Sequence, residues 1–134
     1  MRILFVHEVN WLEKVTYEIH DIPELLSIAG HEITFIYFPE FSVADPRNRF
    51  FSFRTTRRFA QTRAHAGSKV DVFTPGGVLK GFLRRQFASL TFVPLFWRTA
   101  RARKIDLVVL YGVPTNGWQT VLLAKFLKIP VIFR

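Results

Sequence analysis

An α/β fold, built on an open parallel sheet of about five strands with helices on both faces, is what this sequence predicts. Three observations point there. Short apolar runs rich in β-branched and aromatic residues recur along the chain. Segments with apolar residues at spacings of three and four lie between them. Helix-ending signals such as Ala29-Gly30-His31 lead straight into the next apolar run. Strands that alternate with helices pair in parallel through right-handed crossovers.

Each element can be justified in turn. Arg2-Ile3-Leu4-Phe5-Val6-His7 is apolar without alternation, the pattern of a parallel strand buried on both faces. Between Glu13 and Ala29, the residues Val15, Ile19, Ile22, Leu25, Leu26 and Ala29 form a helix face, with a kink expected near Pro23. Gly30 can take positive φ at no steric cost and close that helix. Ile33 to Phe38 read as a second strand. Pro39 to Lys69 is an irregular basic stretch, with a helix expected from about Arg54 to Ala66. Val70 to Thr74 form a third strand, stopped by Pro75-Gly76-Gly77. Val78 to Lys104 is helical by pattern, and Pro94 is expected to bend or split it. Ile105 to Tyr111 form the fourth strand, a helix spans about Thr115 to Leu127, and Val131-Ile132-Phe133 begin a fifth strand.

Composition narrows the function classes. The chain has 134 residues, enough for one domain, and 49% of them are hydrophobic. A chain of that size buries roughly 68% of its unfolded surface. The absence of cysteine excludes disulfide frameworks, zinc-thiolate sites and thiol nucleophiles. Met1-Arg2 is followed by only a short apolar run, too short for a secretory signal, and no run reaches the ~18–20 apolar residues of a membrane span. A cytoplasmic protein is expected. The net charge is +9, and it is unevenly spread. Arg47 to Lys104 hold fourteen of the nineteen Lys and Arg residues and a single acid, Asp71. Such a region implies an anionic partner or surface.

The order of segments carries a family likeness. "RILFVH", a helix, "GHEITFI", "KIDLVVLYG", a second helix and "LAKFLKIPVIFR" follow one another. This resembles the amino-terminal Rossmann-like domain of a GT-B fold retaining glycosyltransferase, of the family 4-like group. The likeness covers almost the whole chain, and it rests on fold-bearing rather than catalytic segments. It implies a single acceptor-side domain over residues 1–134, a fragment lacking the carboxyl-terminal domain that holds the donor. It also implies transfer of a sugar from a nucleotide-sugar donor to a saccharide acceptor, free or lipid-linked. No cofactor is expected, the nucleotide-sugar being a substrate. A donor domain or partner subunit would complete catalysis. One departure stands out. The family often has two glycines at the start of the first helix, where Glu13 and Lys14 stand here. Lys14 near a helix amino terminus would favour an anion, although a solvated surface lysine reads equally well.

In open α/β sheets, ligands bind beyond the carboxyl ends of the strands. His7, Glu8 and Asn10 follow the first strand, Thr74, Gly76 and Gly77 the third, and Tyr111, Gly112, Thr115 and Asn116 the fourth, with Arg134 after the fifth. The resemblance implies that His7, Glu8 and Asn10 orient an acceptor hydroxyl and that Tyr111 or Asn116 holds a sugar ring, while Gly112 and Thr115 line the site. The bland alternative for His7 is a strand-end histidine satisfied by backbone, and for Gly76-Gly77 a simple turn. His20-Asp21 read as a surface pair and His65 has no readable role. The four histidines show no metal-ligand spacing, and no phosphate-binding or dinucleotide-binding glycine motif is present.

The basic stretch suggests a surface that meets anions, formed by Arg54, Arg57, Arg58, Arg84, Arg85, Arg98 and Arg101 among Phe82, Phe87, Phe92, Phe96 and Trp97. Basic stems and interfacial aromatics suit peripheral docking on the inner face of an anionic membrane. The ordinary alternative packs the rings into the core and leaves the arginines in water. Two other functions stay open: a nucleic-acid-binding module using the same patch, and a non-catalytic remnant.

Overall fold

The computed structural model of the chain describes residues 1–38, 55–77, 83–112 and 115–134. Its elements run β1 (Arg2–His7), α1 (Glu18–Ile28), β2 (Glu32–Tyr37), β3 (Thr56–Gln61), β4 (Val70–Thr74), α2 (Leu83–Gln86), α3 (Ser89–Ala102), β5 (Leu107–Leu110), α4 (Gly117–Phe126) and β6 (Val131–Phe133). One six-stranded sheet has the order β3-β4-β2-β1-β5-β6. Five strands are parallel, and β3 pairs antiparallel with β4 at one edge. The α/β class and the mostly parallel sheet agree with the sequence reading; the sheet has one strand more than expected.

Strand β1 lies between β2 and β5, in register Ile3 to Ile33 and Ile3 to Leu107. Its side chains alternate between two cores. Ile3 and Phe5 pack with Trp11, Ile19, Phe35 and Val72 beneath α1. Leu4 and Val6 pack with Phe92, Phe96, Leu110 and Ala124 beneath α3 and α4. Helices therefore cover both faces, and the unbroken apolar run of β1 follows from that double burial.

Helix α1 starts at Glu18, five residues later than the apolar spacing suggests, and runs through Pro23. Proline has no N–H to offer the carbonyl four residues earlier, which belongs to Ile19. The buried Trp11 indole N–H donates to that carbonyl instead, at 3.1 Å. His20 is fully buried rather than part of a surface pair. Its Nε2 bonds to the Trp11 carbonyl at 2.7 Å, and the Tyr17 N–H donates to its Nδ1 at 3.3 Å. The first stretch after β1 consumes this polar ring locally, which the helical spacing could not show.

The expected helix from Arg54 to Ala66 is absent over the described part, where Thr56 to Gln61 form the antiparallel edge strand β3. Alternation puts Arg57 and Phe59 on one side. There Phe59 meets the Phe73 ring edge-on at 5.9 Å, and Arg57 lies 5.4 Å over it. Ala60, at φ +49°, marks a bulge and donates its N–H to Asp71 at 2.8 Å. Charged residues and a bulge are common protections for a sheet edge.

The β3–β4 connection is pinned to α1. Buried Glu24 accepts the backbone N–H groups of Arg63 (2.6 Å), Ala64 (2.9 Å) and His65 (2.6 Å). Removing that carboxylate would strand buried N–H groups, each costing about 1–3 kcal/mol. The His65 ring meets Asp21 at 3.0 Å. Further along, the helical break expected at Pro94 falls earlier, at Phe87-Ala88, and α3 runs through Pro94. The carbonyl that Pro94 fails to serve belongs to Leu90 in the outward-facing first turn, where water can replace the missing donor.

All three helices that return directly into a parallel strand end alike. After α1, α3 and α4, a residue with positive φ closes the turn: Gly30 at +89°, Lys104 at +51° and Lys128 at +56°. The next N–H reaches back to the third-last helical carbonyl, from His31 to Leu26 (3.1 Å), Ile105 to Ala100 (3.0 Å) and Ile129 to Ala124 (2.9 Å). No atom would meet a Cβ on Gly30, so only its backbone conformation demands glycine. Gly30→Ala is expected to cost about 1 kcal/mol, and Lys128→Gly to stabilise by about 0.5–1 kcal/mol, in urea unfolding. Equal stabilities for wild type and Gly30→Ala would contradict the left-handed turn.

Candidate functional site

The parallel strands, taken from β4 to β6, place the first strand of the chain in the middle. Its successors β2 and β5 lie on opposite sides. The connection leaving β1 passes to α1 on one face, and the connection leaving β5 passes to α4 on the other. A switch in strand order of this kind marks the usual ligand position in such sheets, and the rim between the carboxyl ends of β1 and β5 is here called the crevice.

The β1 side of the crevice is held from within and from without. The Val9 N–H donates to His7 Nδ1 at 2.8 Å, so a neutral His7 carries its proton on Nε2. The Leu12 N–H donates to Asn10 Oδ1 at 3.0 Å, and the Lys14 N–H to the Asn10 carbonyl at 3.2 Å, making a tight turn. The Arg63 guanidinium reaches this loop from the β3–β4 connection. It donates to the carbonyls of Trp11 (3.1 Å), Leu12 and Lys14 (2.8 Å). One arginine of the basic stretch thus shapes the crevice wall. Lys14 is exposed and lies before α1, outside the reach of the helix dipole, and the first turn of α1 holds the acids Glu18 and Asp21.

The β5 side meets it closely. Glu8 Oε1 accepts the Thr115 N–H at 2.6 Å, which ties the two loops together. The rings of His7 and Tyr111 lie 4.9 Å apart. Tyr111 donates its N–H to the Val6 carbonyl (3.1 Å), while Gly112 and Arg134 bracket the end of β6 through the bonds Gly112 N–H to Arg134 O and Arg134 N–H to Leu110 O, both 2.9 Å. The Arg134 guanidinium pairs with Glu18 at 2.6 Å across the rim. A Cβ on Gly112 would make only an ordinary contact, so packing does not require glycine there. On the third strand's rim, the Gly76 carbonyl accepts the Thr91 hydroxyl at 2.6 Å, which fits the turn reading.

The structure therefore brings His7, Glu8, Tyr111, Gly112 and Thr115 together, and seats Asn10 and Asn116 in the adjoining turns. Sequence reasoning missed Glu18 and Gln119. Glu18 reaches the rim only because α1 begins there, and Gln119 carried no motif at all.

Three buried polar atoms just beyond β5 have no hydrogen-bond partner, Tyr111 Oη, Thr115 Oγ1 and Asn116 Oδ1, and a fourth, Gln119 Oε1, lies on α4 facing away from them, in the α3–α4 groove. The other such atom among the described residues is Ser68 Oγ, in the β3–β4 connection. Native proteins rarely leave such groups unsatisfied, and a cluster of them marks a place where something else supplies the bonds. Burial pushes the His7 ring below its ordinary value, against the opposing charge of Glu8. Burial also raises the Tyr111 phenol, with Arg134 opposing and Glu18 and Tyr17 adding to the rise.

Several of the described basic residues have local partners or neighbours. Arg57 and Arg98 line one hollow of about 200 Å³ with Thr91 and Leu95. Arg58 is exposed on the β3 edge, and Arg101 lies 5.2 Å over the Trp97 ring. Arg103 pairs with Asp71 at 2.7 Å and lies 4.8 Å over Phe73. Arg54 and the side chains of Arg84 and Arg85 lie outside the described residues. Among the described residues, no cluster of His, Asp and Glu is placed to hold a metal ion, and no helix is long and apolar enough to cross a membrane.

No protein-family model, curated protein or solved structure matches this chain.

The His7 geometry is directly testable. Nitrogen-15 NMR is expected to show the Nε2–H tautomer at neutral pH and a midpoint below the ~6.5 of an ordinary histidine. Glu8→Gln is expected to lower it further, because the neighbouring negative charge favours the protonated ring. A lowered folded value means the unfolded chain takes the proton first, so the His7 contribution to stability is complete above the ordinary value and is lost as pH falls from there through the lowered folded value. A midpoint at or above 6.5 would contradict the buried placement.

Proposed function

We propose that this chain is the acceptor-side, Rossmann-like half of a GT-B glycosyltransferase, and that its crevice positions a saccharide. The observation that carries the reading is a short run of unpartnered buried polar atoms, Tyr111 Oη, Thr115 Oγ1 and Asn116 Oδ1, on a segment whose Tyr111 ring and Thr115 N–H meet His7 and Glu8. A sugar presents hydroxyls that both donate and accept, so it can satisfy a phenol, an aliphatic hydroxyl and an amide oxygen together.

In a retaining transferase the protein gains rate by positioning the reactants and stabilising charge on the departing phosphate. On this reading the chain contributes positioning. Glu8, fixed by the Thr115 N–H, accepts a hydrogen from an acceptor hydroxyl, and His7 Nε2–H offers a donor. The donor nucleotide-sugar is held by a second domain or partner subunit. Exposed Leu83, Phe87 and Leu90, with Arg98 and Arg101, support docking of this face on an anionic membrane that carries a lipid-linked acceptor.

Saturation-transfer NMR with a panel of mono- and oligosaccharides tests the proposal. A saccharide is expected to bind without added nucleotide and to shift the Tyr111 and Thr115 signals. Tyr111→Phe or Asn116→Ala is expected to weaken it about fivefold each, the loss of one ordinary hydrogen bond of about 1 kcal/mol. Saccharide shifts that map away from this crevice, or the absence of any saccharide binding, would overturn it.

A further inference from the structure

The face of the sheet opposite α1 carries an oddity that the crevice does not use. Helix α4 packs Leu123 and Ala124 on the core, yet its remaining residues are distributed unusually. It buries Gln119, Thr120 and Ala124, and it exposes Trp118, Val121, Leu122 and Phe126. A surface helix ordinarily does the reverse. Trp118 is 67% exposed and Leu122 58% exposed, and across from them Leu90 of α3 is 52% exposed. Scattered exposed apolar residues need no explanation, but a contiguous patch marks a binding surface.

These residues are contiguous. Between α3 and α4 lies a groove of about 400 Å³, lined by Leu90, Val93, Pro94, Trp118, Leu122 and Leu123. That volume falls in the range of small-molecule sites, roughly 300–1,000 Å³. Two polar residues complete the lining, Ser89 and Gln119. Gln119 is only 7% exposed, and its Oε1 is one of the buried acceptors without a partner. The groove thus combines apolar walls with one buried acceptor that lacks a donor. None of its described lining residues is charged, so a carboxylate or phosphate inside it would be buried without a counter-charge.

We propose that this groove binds a neutral amphiphile, an apolar chain bearing a hydroxyl, with the chain along Leu90, Trp118 and Leu122 and the hydroxyl donating to Gln119 Oε1. The site lies on the first two turns of α3 and α4. It stands whether or not the crevice handles sugars, since it shares no lining residue with His7, Glu8 or Tyr111.

The test uses 1-octanol and its donor-free analogue methyl octyl ether, with Trp118 emission as the signal and Trp118→Phe as the control for Trp11 and Trp97. Octanol is expected to bind saturably at one site, about fivefold more tightly than the ether, the margin of one hydrogen bond. Gln119→Leu is expected to erase that preference and keep the apolar binding. Leu122→Arg is expected to abolish binding of both without loss of folding by circular dichroism, because Leu122 lies outside the core. Leu90→Arg serves as the second blocking variant. Saturable binding that survives both blocking variants would overturn the proposal, as would equal affinity for octanol and ether. A signal seen only with phosphatidylglycerol vesicles would replace the small ligand with a bilayer surface. A signal that changes only with protein concentration would replace it with a second copy of the chain.

Discussion

A strand with no free side organises this molecule. β1 is hydrogen-bonded on both edges and covered on both faces, so its neighbours and its helices are committed before any loop is considered. Right-handed crossovers that step in opposite directions, from β1 to β2 and from β5 to β6, put α1 on one face and α4 on the other. The place of the candidate site, between the loops that leave β1 and β5, is a consequence of that topology. Residues placed just beyond those two strands meet even though about a hundred positions separate Glu8 from Thr115. The same double burial explains why the β1 segment reads as apolar without alternation.

The return journeys of the chain are handled by one repeated device. A left-handed residue after each of α1, α3 and α4 folds the helix end back on its own carbonyls and aims the chain into the next strand. Glycine serves once and lysine twice, so the fold tolerates backbone strain at Lys104 and Lys128 that it avoids at Gly30. A second device supports the helix after β1. Trp11 supplies the hydrogen bond that Pro23 withholds, and Glu24 and Arg63 clamp the β3–β4 connection to the loop beside the crevice. The crevice wall is consequently rigid on the β1 side, while the ion pair of Arg134 with Glu18 spans its outer rim.

The strands that pair in parallel were legible because each satisfies a local rule, and β1 and β4 begin and end where their apolar runs do. The candidate residues beyond β1 and β5 were legible for the same reason, since topology alone places strand ends together. What failed was set by distant partners. Thr56 to Gln61 form a strand because Arg57 and Phe59 find Phe73, which no local pattern announces. The late start of α1 depends on His20 turning inward to the Trp11 carbonyl. Within the basic stretch Arg47 to Lys104, Arg63 and Arg103 have internal roles, on loop carbonyls and on an aromatic ring, that charge counting does not reveal. Gln119 was invisible because its importance lies in what it lacks, a partner for a buried oxygen.

Two surfaces of different chemistry border the same rim. The rim beyond β1 and β5 holds buried, unpartnered hydroxyls and an amide oxygen beside the tilted rings of His7 and Tyr111. The α3–α4 groove offers apolar walls and one acceptor. Both depend on the β1–β5 ladder holding the two loops in register. That ladder is best tested by the nuclear Overhauser effect between ring protons of His7 and Tyr111, whose centroids lie 4.9 Å apart. Strong cross-peaks, together with amide contacts between Tyr111 and Val6, are the result this account requires. Absence of ring contacts in a folded chain whose other strand pairings are intact would show that β5 does not lie beside β1, and the crevice would not exist.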